Sequence, residues 1–91
     1  MKMKFKAILS VKLALEAVKN NGYALRYVKD QTEAVALEAV KQNGDALQYV
    51  KDQTEAVVLE AVKQDGDALR YVLNFELFMS IAGVLGISID E

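Results

Sequence analysis

ALEAVKQNGDALQYVKDQTEAV, residues 36–57, decides the fold of this chain, because the stretch immediately upstream is nearly the same text. Shifted by 22 places, ALEAVKNNGYALRYVKDQTEAV (14–35) differs from it only at Asn20/Gln42, Tyr23/Asp45 and Arg26/Gln48, so 19 of 22 positions are identical. A third copy, VLEAVKQDGDALRYV (58–72), matches the second at 12 of 15 positions and then gives way to an apolar C-terminal segment. A fixed period kept with this fidelity is a tandem duplication, and the 22-residue unit is what has to be folded.

Within the unit, apolar residues recur at helical spacing twice, first at Val35, Leu37, Ala39 and Val40, then at Ala46, Leu47 and Val50. No strand-like alternation persists through the repeats. Gly22, Gly44 and Gly66, preceded by Asn21, Asn43 and Asp65, fall between the two runs and predict a helix closed by a left-handed glycine. At the other junction Asp30 or Thr32, and Asp52 or Thr54, offer a capping oxygen to the next helix; Asp30 with Glu33 and Asp52 with Glu55 have capping-box spacing. Lys41 and Lys51 in closing turns, with Asp45 and Glu55 in opening turns, place each charge favourably for the helix dipole.

The unit therefore reads as a helix, a turn and a shorter helix that is partly 3₁₀. A unit this small cannot bury enough apolar surface alone, so copies must stack. The expected fold is all-α: a short α-solenoid of stacked 22-residue helix–turn–helix repeats with N- and C-terminal capping helices. Its divisions are an N-terminal cap or degenerate half-repeat (1–13), repeats at 14–35, 36–57 and 58–79, the last with a divergent second half, and an apolar cap or tail (80–91). In the first of these, Met1, Met3 and Phe5 lie opposite Tyr23, Leu25 and Tyr27 at the repeat offset.

Composition removes several classes of function. With no cysteine and no histidine, the 91-residue chain has no disulfide, thiol nucleophile, imidazole base or common zinc site, and no cofactor or metal is expected. A net charge of −2, from 11 basic and 13 acidic residues, gives no basic field for a phosphate backbone, so nucleic acid is not expected as a partner. The basic start MKMKFKAILSVKLALEAV is interrupted by Lys12 and Glu16, against a secretion signal. Residues 71–89 are broken by Asn74, Glu76, Gly83 and Gly86, against a membrane span. A cytoplasmic location is favoured.

The core A-V-K-x-[ND]-G-x-A-L-x-Y, used at 17–27, 39–49 and 61–71, resembles a family of tandem helical repeats described only as a domain of unknown function in bacterial and large-virus proteins. The resemblance covers roughly residues 14–72; it implies repeated short helices and brings no activity or functional residues with it. In layout the unit is also similar to leucine-rich-repeat variants that alternate α-helices with shorter ones.

Stacking turns equivalent residues into rows. Tyr27, Tyr49 and Tyr71 form an aromatic ladder, expected to pack between units with the hydroxyls at the rim. Differences between copies concentrate at Tyr23, Asp45 and Asp67 and at Arg26, Gln48 and Arg70, three residues apart, which predicts one strip on the outer surface where a partner would be read. Glu16, Glu38 and Glu60 precede Lys19, Lys41 and Lys63 by three residues, the spacing of solvated helical pairs. Near-identical copies give carboxylates near-identical environments, whereas acid–base catalysis needs unlike ones, so an enzyme is disfavoured.

The C-terminal segment, which Ile87 and Ile89 extend, carries more apolar residues than one helix face can bury, so some must fold back over repeat three or meet another chain; Phe75, Phe78, Met79, Ile81 and Leu85 are the candidates for a homodimer contact. The function expected is a non-enzymatic scaffold or protein-interaction module, whose partner is an unknown protein or a second copy. An amphipathic lipid-surface binder of 22-residue repeats is the alternative, opposed by a turn every ten or twelve residues.

Overall fold

A computed structural model describes residues 2–86, with side chains from Ser10 onward. Four α-helices alternate with three 3₁₀-helices: α1 (Lys2–Asn20), η1 (Gly22–Tyr27), α2 (Glu33–Gln42), η2 (Gly44–Tyr49), α3 (Glu55–Gln64), η3 (Gly66–Tyr71) and α4 (Phe75–Leu85). The described residues contain no strand. Each α-helix packs on the next and each 3₁₀-helix packs on the next; α1 also rests on η1, α2 on η1 and η2, and α3 on η2 and η3. The result is an elongated two-layer array, 55 × 24 × 17 Å, whose core lies between the layers.

Local chemistry sets the helix ends. Thr32 and Thr54, rather than the aspartates, are the N-caps of α2 and α3, their hydroxyls accepting the N–H of Val35 (3.2 Å) and Val57 (3.3 Å). Glu33 and Glu55 follow in the first turns, and Lys41 and Lys63 occupy the last, each favourable to the helix dipole.

The closing junction differs from the expectation. Asn43 and Asp65 adopt extended backbone, and of the glycines described only Gly86, which closes α4 at φ 77°, is left-handed. Gly22 and Gly44 are required by proximity instead. A Cβ on Gly22 would collide with the carbonyl of Ala39, and one on Gly44 would lie 2.6 Å from the Ala61 carbonyl oxygen and 2.8 Å from Asp65 Cβ, in each case on the following unit.

A six-residue 3₁₀-helix repeats every three residues and so has three faces. In η2, Gly44 and Leu47 are buried on one, Ala46 and Tyr49 share the second, and Asp45 and Gln48 form the third, which is the most open. Leu25, Leu47, Val35, Val40, Val57, Val58 and Ile81 are completely buried, each side chain contributing about 1.5 to 3 kcal/mol by leaving water.

The ends of the array follow from the same repeat. Leu13, equivalent to the fully buried Val35 and Val57, is 62% exposed. At the other end α4 starts from an Asn74 cap, 20 rather than 22 residues after Thr54, and lays Leu77 and Ile81 into the core, where α3 places Val57 and Ala61. Ile81 is thus an internal packing residue and not an exposed contact, and the division at 79/80 falls within α4. The side chains of Met1, Met3 and Phe5, and Ile87 and Ile89, lie outside the described residues.

Candidate functional site

The 3₁₀ layer gathers both rows of residues singled out from the repeat. On the outer strip, the Tyr23 hydroxyl donates to Asp45 Oδ1 (2.7 Å), so a position where the copies differ is matched to its neighbour in the next unit. This bond to a carboxylate, with the negative charge behind it, raises the Tyr23 pKa above the ordinary tyrosine value. The ring of Tyr23 meets that of Tyr49 edge to face, with centroids 6.4 Å apart and planes at 87°. Arg26 then stacks its guanidinium over Tyr27 (5.1 Å) and Tyr49 (5.7 Å), joining the variable strip to the tyrosine ladder.

The third unit repeats part of this arrangement. Arg70 lies 4.9 Å from the Tyr71 ring centroid and donates to its hydroxyl (2.8 Å). Gln48 reaches back to the Asp45 carbonyl (3.0 Å), and Asp67 is exposed, its N–H bonded to Asp65 Oδ1 (3.0 Å). Of the ladder, Tyr49 and Tyr71 are half-buried, whereas Tyr27 is 77% exposed.

The remaining named residues lie elsewhere. On α4, Phe75 is 72% exposed, Met79 and Leu85 are partly open and Phe78 is half-buried. Beside them, Leu73 is 80% exposed. Glu38 and Glu60 each accept a bond from the glutamine four residues on, Gln42 (2.9 Å) and Gln64 (2.7 Å).

Two residues that hold the layer in place escaped the sequence reading. Gln31 Nε2 donates to the carbonyl of Tyr49 (2.9 Å) while its Oε1 accepts the N–H of Lys51 (3.0 Å), clamping the end of η2 from the unit before. Gln53 does the same to Tyr71 (2.9 Å) and Leu73 (3.0 Å). Their signal was present as an unchanging Gln in two K-D-Q-T-E connectors. Thr54 adds a hydroxyl bond to Glu33 (2.6 Å), and Ser80 one to Glu55 (3.1 Å).

One crevice opens where Gln31, Thr32, Glu33 and Ala36 face Val50, Asp52 and Thr54. It holds about 260 Å³ even with the open solvent at its mouth, less than the roughly 300 to 1,000 Å³ of small-molecule sites. Among the described residues no group of three or more acidic, His or Cys side chains is placed to hold a metal, and no helix is long and apolar enough to cross a membrane.

Fold and surface together define a helical-repeat array with an aromatic and arginine-bearing 3₁₀ face. The chain belongs to the family described as Domain of unknown function (DUF4116), whose model matches residues 12–55 and, overlapping, 32–77. Neither the curated proteins nor the solved structures gave a significant match.

Proposed function

We propose that this protein is a non-enzymatic helical-repeat scaffold, an interaction module that holds a protein partner against its 3₁₀ face. The observation that carries this reading is the stacking of Arg26 on Tyr27 and Tyr49, with Tyr23 fixed edge-on by Asp45. Arginine and tyrosine are the side chains most often dominant in protein contacts, and here they are held in position before any partner arrives. The carboxylates of the repeats support the non-enzymatic part, since Glu33, Glu38, Asp45, Glu55 and Glu60 are each occupied by a side-chain donor of the same chain.

Peptides selected on the immobilised protein from a random display library provide the test when titrated into isotopically labelled protein. Resonance shifts should centre on Arg26, Tyr27, Gln48, Tyr49 and Arg70. Binding should fall at least about tenfold in Arg26→Ala, the loss expected from a contact worth more than 1.4 kcal/mol, and stay unchanged in Lys41→Ala. Shifts confined to the α-helical layer would sink the proposal.

A further inference from the structure

The outer strip of the 3₁₀ layer divides into two rows one helical turn apart. Tyr23, Asp45 and Asp67 make one row, and Arg26, Gln48 and Arg70 make the other. The first row is rich in acceptors and is already engaged where Tyr23 donates to Asp45 (2.7 Å). The second carries the cations. Asp67 stands three residues before Arg70, at the spacing of a helical ion pair, yet the Arg70 guanidinium donates to the Tyr71 hydroxyl (2.8 Å) and lies 4.9 Å from the centroid of that ring. Arg26 is held likewise over Tyr27 (5.1 Å) and Tyr49 (5.7 Å), in a 3₁₀-helix, GYALRY, that contains no carboxylate. Both arginines are exposed, and both lean on the tyrosine ladder. The path between their row and the ladder therefore presents two cations against aromatic walls.

We propose, building on the scaffold reading, that the partner held on this face is an acidic segment in extended conformation. It runs across the units along the tyrosine ladder, with one carboxylate on Arg26 and a second on Arg70. A guanidinium laid on an aromatic ring keeps its N–H edge for the two oxygens of a carboxylate, and the ring shields that contact from water on one side. Because the rings already fix both arginines, less side-chain freedom is lost when the segment binds. The stack also sets the spacing. Packed helices lie about 8 to 10 Å apart, so Arg26 on η1 and Arg70 on η3, two units along, are separated by roughly 16 to 20 Å. An extended strand rises about 3.3 Å per residue and a polyproline II segment about 3.1 Å, so the span is about five or six residues. A separation of about six returns a side chain to the same face in either conformation, because their periods are about two and three. The segment recognised is one whose acidic residues recur about six positions apart.

The sequences of peptides selected from the random display library on the whole chain provide the test. Those that shift the Arg26 and Tyr49 resonances should be enriched in Asp and Glu, in pairs about six residues apart, and should bind more weakly as salt rises. Arg26→Glu and Arg70→Glu, both at exposed positions and checked for folding by circular dichroism, should each lower the affinity of such a peptide at least about tenfold by setting like charges together. Changing one acid of the peptide to Lys should restore binding to Arg26→Glu, and changing the other acid should restore it to Arg70→Glu. Peptides that bind this face without an acidic bias, or with an affinity indifferent to salt, overturn the inference and leave the scaffold reading standing. A selection that yields no binder, or binders on the α-helical layer alone, overturns both.

Discussion

Gly22, Gly44 and Gly66 hold one position of the repeat but do not meet the same surroundings. The first two touch the next unit, while the third faces open space. Alanine at Gly44 must push back a carbonyl and a Cβ, an overpacking that typically costs about 1 to 3 kcal/mol. Alanine at Gly66 meets nothing, has no left-handed backbone to strain, and restricts the unfolded chain, so it should be neutral or stabilise by up to about 1 kcal/mol. Urea melts of Gly44→Ala and Gly66→Ala would show this divergence; equal losses would refute it. Tyr23 makes a second residue-scale prediction. Its pKa is raised in the folded state by the bond to Asp45, so the associated stability is complete below the ordinary tyrosine pKa and is lost as pH climbs through the raised value. Ultraviolet titration should show one late-ionising tyrosine, missing from Tyr23→Phe and shifted to lower pH in Asp45→Asn.

At the scale of elements, the clamp made by each connector ties down the ends of η2 and η3, which at six residues run beyond the usual three or four. Gln31 caps the C-terminal end of η2 and supports the chain leaving it, tying two backbone groups that the helix itself cannot satisfy. Gln31→Ala leaves the half-buried Tyr49 carbonyl and the exposed Lys51 N–H without the side-chain partner, for an expected loss of about 1 to 3 kcal/mol that comes mainly from the carbonyl. Gln31→Glu is more diagnostic. The carboxylate still accepts from Lys51 but cannot donate to the Tyr49 carbonyl, so the variant should regain stability on acidification, when a protonated carboxyl can donate again. A variant whose deficit relative to wild type does not shrink at low pH would count against the clamp.

The whole molecule behaves as a one-dimensional stack in which a unit's stability is decided by its neighbours. Deleting residues 36–57 joins two near-identical junctions and leaves every remaining contact type in place. The shortened chain should fold to the same helical spectrum with less amplitude and melt cooperatively at a lower temperature. Loss of all helical signal at low temperature would contradict a repeat architecture. The stack also explains graded burial: Leu47→Ala, fully enclosed, should cost about 2 to 5 kcal/mol, and Leu69→Ala, half-buried at the open end, distinctly less.

The repeat, the helical class and the alternation of long and short helices were all legible in the chain, because each depends on residues close in sequence. Helical spacing, a threonine oxygen three residues from its N–H and a three-residue 3₁₀ period are local geometry. What lay beyond reach were contacts one unit apart. The reason for Gly22 and Gly44, the clamps of Gln31 and Gln53, the joining of Arg26 to Tyr49 and the burial of Ile81 beside an exposed Phe75 all depend on which surface comes to rest against which. A sequence period fixes that units are alike; only their stacking distance and rotation determine which equivalent atoms meet.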